Sequence, residues 1–595
     1  MKLDIKLALD RISKDYNEDK TFIKLPYELA IIKKNNVEWI NSFEDDIIND
    51  RYAPGPMHIC EVPKGNYHIR PGAHLSIEDA VYYTALVGEA YENIFESTIW
   101  ARDRYDFSYT LTGDKYKAKW IRDNFNEWRN FRARSLDKIK QGYDYVLVAD
   151  ISGFYENINI QTLSYDLKQI GVANNIADAI SNCLNNWAQN HGKGLPQGYS
   201  ASNILAKLYL NSLDLRLKDD NFIHYRYVDD IRIFCKNLIE AKHALIMLTS
   251  LLHGRGLNLQ TSKTKILCGK EAADYIQGVQ PIIESILADL KSYEIKEETD
   301  ASDIFLLEFV QSLQIATSDP YNDNDSPPPA LGLEVVKDDP FNIFPTETES
   351  TFTEFEIVKS ESTTQPLDND TKQATTLFAA DTATLESDPD TVDISIIKKT
   401  FKYFFIESKE AHFDKTLFRF LLKRLSKAND KFAVEFCKTL FERHPEETAT
   451  LLKYFKDVNA LKEAFEAIEI FLLSLNAIYH YQNYQVIEWM DTIESITPND
   501  IVIALVRRLA FDNTQPYYLK SISRKYIRKF ANASDLEMFE KLCRETKDPI
   551  EQAEMICIMQ KMEKNRRNST YARLGKKHIL NKSAIIYVKS MDEDA

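Results

Sequence analysis

At 595 residues, with 44% hydrophobic and 11% aromatic content, the chain is too long for one core and too apolar for wholesale disorder. No apolar run approaches the roughly 18–20 residues of a membrane span, and the N-terminus (Met1-Lys2-Leu3-Asp4-Ile5-Lys6) is too charged for a signal peptide. Seven scattered cysteines form no CxxC pair, so a disulfide-built secreted domain is excluded, and a soluble cytoplasmic protein without membrane association is expected.

The net charge of −16 speaks against a nucleic-acid binder until it is located. Between Gln311 and Ser395 there are 18 acidic and 3 basic residues, which leaves 72 acidic and 71 basic in the remainder. One segment sets the balance, and the rest of the chain is close to neutral.

Residues 1–50 mix apolar and charged positions with helical periodicity. From His58 to Gly72 the pattern becomes that of a hairpin, turning at Lys64-Gly65-Asn66. Arg70, in its second strand, is either a triphosphate contact or an ordinary surface arginine. A helix is predicted from Ile77 to Phe95. Residues 100–140 interleave aromatics and cations (Trp100, Arg104, Tyr105, Lys119, Trp120, Trp128, Arg132), which suits base stacking and phosphate contact or a helical face with buried rings.

Val146-Leu147-Val148-Ala149 reads as a buried strand ending in Asp150, with Tyr155 following Phe154. Helices are expected at 161–169 and 175–191. Gly194-Leu195-Pro196-Gln197-Gly198 is a rigid turn opening a helix at 200–218, whose first N–H groups are free for an anion or a base. Apolar runs on both sides of Tyr227-Val228-Asp229-Asp230 then predict two short strands and a tight turn. Two adjacent carboxylates at a hairpin tip repel each other, a cost that a divalent metal removes. A helix at 238–253 and Lys263-Thr264-Lys265-Ile266 complete this block.

The stretch 315–393, with Pro327-Pro328-Pro329 and many Ser, Thr and Asp, is expected to be a disordered acidic insert. From Ile394 the periodicity is helical throughout, and helices of about 12–18 residues in antiparallel pairs suggest an α-solenoid, HEAT-like in a loose sense. Its tail is basic (Lys561, Lys564, Arg566, Arg567, Arg573), a candidate phosphate-contacting surface.

Asp150 with Tyr155, then Leu195-Pro196-Gln197-Gly198, then Tyr227-Val228-Asp229-Asp230, then Lys263-Thr264 stand in order within about 115 residues. This succession resembles the palm of reverse transcriptases, over roughly residues 50–280. The chain is therefore expected to be α+β, with right-hand polymerase fingers and palm followed by an all-α helical-repeat domain. The bounds are 1–142 for the N-terminal and fingers region, 143–300 for the palm, 315–393 for the insert and 394–595 for the helical domain. The resemblance implies that Asp150, Asp229 and Asp230 hold Mg²⁺ ions, with Asp230 supportive rather than bridging. It implies that Arg70 contacts the incoming triphosphate, that Gln197 and Gly198 line nucleotide and template, and that Lys263 assists pyrophosphate departure. In this pattern an aromatic at Tyr155 blocks a ribose 2′-OH, which makes dNTPs the substrate.

No RNase H, integrase or HNH-type cluster is recognisable, and the Val-Thr-Gly element of retron enzymes is missing. A palm followed by helical repeats is similar to the abortive-infection (AbiK-like) and "unknown group" reverse transcriptases of bacterial antiphage defence. That kinship implies a DNA product, a trimer or hexamer of the chain, and either protein priming or copying of a noncoding RNA. Tyr571 in the basic tail is one tyrosine to test as a primer.

Overall fold

The structure, a computed structural model, describes residues 1–278, 394–407 and 413–593, apart from residues 19 and 66. The acidic insert and the end of the expected palm lie outside these residues. Three helices open the chain: α1 (Ile5–Asn17), α2 (Glu28–Lys34) and α3 (Asn36–Ile48). Asp4 accepts from the Leu7 N–H at 2.9 Å and so caps α1, whose buried Ile5, Leu9, Ile12 and Tyr16 fall along one face.

Strands β1 (His58–Lys64) and β2 (His68–His74) form the expected hairpin, paired from His58↔His74 to Lys64↔His68. Where one helix was expected to reach Phe95, there are two: α4 (Ile77–Glu89), capped by Ser76, and α5 (Tyr91–Thr98). Gly88, a weak helix former, precedes the break. It leaves room for Arg11, whose Nη1 would lie 2.7 Å from any added Cβ.

The stretch 100–140 resolves mostly to interior packing. The Arg11 guanidinium lies 4.1 Å over the ring of buried Trp120. On α6 (Asn124–Lys140), Trp128 packs edge-on against Tyr227 at 4.9 Å. Trp120 and Trp128, two of the rings that suggested stacking on bases, thus belong to or back the cores, while Arg129 and Arg134 on α6 stay exposed.

The second sheet contains β3 (Tyr145–Ala149), β4 (Ile223–Tyr227), β5 (Asp230–Cys235) and β6 (Lys265–Cys268). Its order is β4-β5-β3-β6, and every pair is antiparallel. Alternation divides the strands between two cores. Leu147, Ala149, Ile231 and Ile233 join the main core, on the side of α10 (Ser200–Asp219) and α11 (Leu238–Gly254). Val146, Val148 and Phe234 face α6 and α12 (Gly269–Gln277) in a smaller core with Phe131 and Tyr275. The helices α8 (Ile160–Gln169) and α9 (Asn174–Trp187) also form, the second ending short of His191.

Beyond residue 394 the described chain is helical, but its α-helices run from 4 residues (Leu440–Arg443) to 15 (Ile579–Glu593), shorter than expected. Consecutive helices pack as neighbours, among them Asp500–Phe511 with Tyr517–Ile527 and Ala533–Glu545 with Pro549–Ile558. This region shares the main core with the N-terminal helices. The Tyr484 hydroxyl bonds both the N–H and the carbonyl of Lys24, at 3.2 and 3.0 Å, and Arg528 donates to the Tyr27 hydroxyl at 3.1 Å. Phe22 meets Tyr481 edge-on at 6.4 Å. Part of the basic tail is ion-paired, Arg566 with Glu540 and Arg567 with Asp592. Tyr571 is 4% exposed and donates to the Ile556 carbonyl at 2.7 Å, so it is not an accessible primer hydroxyl.

Candidate active site

Tyr227 pairs with Asp230 across β4 and β5, which leaves Val228 and Asp229 as a two-residue turn. Val228 has φ +56°, a left-handed conformation that is strained for a β-branched residue and that glycine ordinarily fills in such hairpins. The turn is held from below by buried charge. Arg226 donates from Nη1 to the Val228 carbonyl at 3.0 Å and from Nη2 to Asp214 and Asp106 at 2.6 and 2.7 Å. Lys207 reaches Asp106 at 2.5 Å and the Ser108 carbonyl at 2.9 Å. Burial alone would raise the Asp214 carboxyl, but the Arg226 charge and the hydrogen bonds from His224 and Arg226 outweigh it and hold Asp214 below the ordinary range.

Asp150 follows directly on the last paired residue of β3, Ala149↔Ile231, and so emerges beside the hairpin tip. Its backbone carbonyl accepts from the Gln260 N–H at 2.8 Å, and Ile151 bridges Leu259. These contacts bring the 3₁₀ turn Thr261–Lys263 against the strand end, with Lys263 Nζ 3.2 Å from Asp150 Oδ2. Asp229 is half-buried, and its carboxyl is pushed up by desolvation and then by the charge of Asp150; Asp230 adds to this and Lys263 opposes it. Asp230 is 4% exposed and likewise raised, to about 6, chiefly by burial, against the pull of Arg232. The Arg232 Nη2 lies 3.5 Å from Asp230 Oδ2, an ion pair too long for a good hydrogen bond. Arg232 is itself buried over the Phe131 ring at 4.0 Å.

The three aspartates are thus neighbours with unequal surroundings: Asp150 and Asp229 face each other's charge, while Asp230 is engaged by Arg232. Among the described residues no group of three or more histidine, cysteine or carboxylate side chains is arranged to hold a metal ion. The donor set that fits a hard divalent cation is the pair Asp150 and Asp229, whose mutual repulsion such an ion would relieve.

Tyr155 lies on the short helix Phe154–Asn157 that follows, and its hydroxyl donates to Asn203 Oδ1 on α10 at 2.7 Å. It also shares a hydrogen bond with the hydroxyl of Tyr109, and the charges of Asp229 and Arg70 both act on the two phenols. Arg70, Tyr155 and the aspartates therefore share one electrostatic neighbourhood. The Leu195-Pro196-Gln197-Gly198 turn is stitched to the hairpin that bears Arg70, because the Ala73 N–H donates to the Gln197 carbonyl at 3.1 Å. Gly198 has φ +101°, and an added Cβ would lie 2.9 Å from the Phe22 ring, so glycine is required there. All eight residues singled out from the sequence stand around this junction of β2, β3, the β4–β5 turn and the start of α10.

Sequence reasoning missed Tyr109, Asn203, Arg226, Arg232 and the Asp106–Lys207–Asp214 cluster. The charged strand residues Arg226 and Arg232, set between apolar neighbours in a sheet otherwise buried, were the available signal.

Residues 109–292 match the family model described as reverse transcriptase (RNA-dependent DNA polymerase), so the chain carries a reverse transcriptase domain over that span. No match to a curated protein accompanies it.

Proposed function

We propose that this chain is a DNA polymerase of the reverse transcriptase type, which joins deoxynucleotides by metal-assisted phosphoryl transfer. The observation that carries this reading is the seating of Asp150 at the end of β3 beside the Asp229 turn, inside the matched domain. Phosphoryl transfer needs little covalent work from the protein, so positioning and charge decide the rate. Asp150 and Asp229 would hold Mg²⁺, with Asp230 in support; when bound, the metal supplies a lowered pKa at the attacking hydroxyl and neutralises phosphate charge. Arg70 faces the triphosphate, Gln197 and Gly198 form the floor of the nucleotide site, and the ring of Tyr155 excludes a ribose 2′-OH. Lys263 stands beside Asp150 and protonates the departing pyrophosphate.

A right-hand layout fits this assignment, with the β1–β2 hairpin as part of the fingers and the four-stranded sheet as the palm. The helical region beyond residue 394, packed on the N-terminal helices, favours a defence-associated enzyme over a mobile-element or repair polymerase. A homo-oligomer, a noncoding RNA template and protein priming belong to that reading.

The test is incorporation of labelled dNTPs in Mg²⁺, with and without primer and RNA template, resolved on a denaturing gel before and after protease. Incorporation that disappears in Asp229→Asn supports the polymerase. Protease-sensitive product further identifies protein priming. No incorporation under any of these conditions, with wild type and Asp229→Asn alike, overturns the reading and leaves a scaffold of polymerase fold.

A further inference from the structure

The ring that selects the sugar is held by its own hydroxyl. Tyr155 is tied at three points: its carbonyl accepts from the Leu195 N–H at 2.9 Å, its ring packs edge-on against Phe154 at 5.4 Å, and its hydroxyl donates to Asn203 Oδ1 at 2.7 Å. The hydroxyl also meets Tyr109, which is 4% exposed and adopts φ +45°, a strained left-handed conformation for a non-glycine residue. Asn203 lies in the first turn of α10, and Leu195 opens the turn that leads into that helix. The nucleotide floor and the acceptor for Tyr155 therefore belong to one continuous piece of chain.

An aromatic ring excludes a hydroxyl group only if it cannot swing away. A phenol with no partner loses little by rotating about χ1, whereas one that must abandon a part-buried hydrogen bond leaves an amide oxygen without it. Resting on the polymerase reading, we propose that Asn203, seconded by Tyr109, is the positioning residue that fixes Tyr155 and so sets the discrimination between deoxynucleotides and ribonucleotides. Neither residue touches the reacting atoms.

The experiment measures kcat/KM for one dNTP and its matching rNTP in wild type, Asn203→Ala, Tyr155→Phe, the double variant and Tyr109→Phe. Tyr155→Phe keeps the ring and removes the bond. Loss of one such hydrogen bond is expected to lower the dNTP:rNTP ratio by about tenfold in Asn203→Ala, and by at least as much in Tyr155→Phe, which also loses the bond to Tyr109, mainly through faster rNTP use. The double variant should equal Tyr155→Phe alone, because that substitution already deletes the contact to Asn203. Tyr109→Phe should give a smaller loss. A purely structural role would lower both substrates together and leave the ratio unmoved, and that result overturns the proposal. Additive losses in the double variant overturn it as well. Absence of any synthesis by the wild type would instead strike the polymerase reading itself, so the two failures are distinguishable.

Discussion

Arg226 holds the carbonyl of Val228 at 3.0 Å, two residues along its own chain, and so clamps the strained turn that presents Asp229. The same guanidinium neutralises Asp106 and Asp214, each at most 2% exposed. One side chain thus serves both the stability of the sheet edge and the conformation of the hairpin tip.

Arg226→Met should destabilise the protein by about 3–5 kcal/mol, because it leaves two buried carboxylates with Lys207, Ser108 and His224 as their remaining partners. Arg226→Lys keeps a charge and should fold better, yet lose the clamp and most of the synthesis. Adding Val228→Gly to Arg226→Lys should recover part of that activity, since glycine accepts a positive φ without support. Thermal unfolding and steady-state incorporation, measured on the same preparations, check both statements.

Asp229→Asn should abolish synthesis while stabilising the apo protein by about 1–3 kcal/mol, because it removes a desolvated charge that Asp150 repels. The gain should shrink when Mg²⁺ is present, since the ion offsets that repulsion in the wild type only. Urea denaturation with Mg²⁺ and with chelator tests this, and a variant less stable than wild type in chelator would contradict it.

The raised carboxyl of Asp229, about 7, makes metal binding a competition with a proton. Between the ordinary carboxylate range and that value the apo site is protonated, so Mg²⁺ must displace the proton to bind. Apparent Mg²⁺ affinity should therefore rise by up to about tenfold per pH unit from pH 5 to 7 and level off above. Activity titrated against Mg²⁺ at each pH gives the curve, and a flat response would refute the coupling.

Lys263 is 37% exposed, so its pair with Asp150 adds about 0–1 kcal/mol and Lys263→Met should leave the melting temperature nearly unchanged. In the proposed role of Lys263 as proton donor, its loss should lower kcat by about 10–100-fold. An unchanged kcat would reassign Lys263 to charge balance alone.

Glu28 is buried where α2 meets the C-terminal helices, and it lines a small apolar cavity with Glu554 and Tyr517. Burial first, and the charge of Glu554 after it, push the Glu28 carboxyl well up. The folded state therefore binds a proton that the unfolded chain releases above its ordinary pKa, near 4.5, and stability falls as pH rises from there. Glu28→Gln should flatten that decline, with a melting temperature several degrees above wild type at pH 8 and close to it at pH 5.

The elements around the candidate site were legible because they sit on local patterns. The β4–β5 hairpin, the strand that ends in Asp150 and the glycine-bracketed turn at Gln197 each announce themselves within ten residues or so. Arg70 reads in the sequence equally as a phosphate contact or a surface arginine, and only the fold shows its strand β2 stitched to that turn. Tyr109, Asn203 and Asp106 gave no signal, because their long-range partners lie dozens of residues away in the chain. The aromatic and basic stretch at 100–140 misled for a related reason: a ring beneath a guanidinium looks the same in sequence whether the pair is buried, as Trp120 and Arg11 are, or open to a base. The Asp230–Arg232 pair also went unnoticed, because alternation predicts the face of a strand residue and not its partner.

Phe22 carries a consequence for anyone wishing to isolate the catalytic half. Its ring lies where an added Cβ on Gly72 or on Gly198 would collide with it, and Tyr481 braces its other side. Cutting the chain before residue 394 would take away that brace and bare the faces of α2 and β1 that pack on the helices Ile579–Glu593 and His480–Asp491. A chain truncated there should come out insoluble or slack around Gly198, which would make the helical region structural support that the reverse transcriptase domain needs.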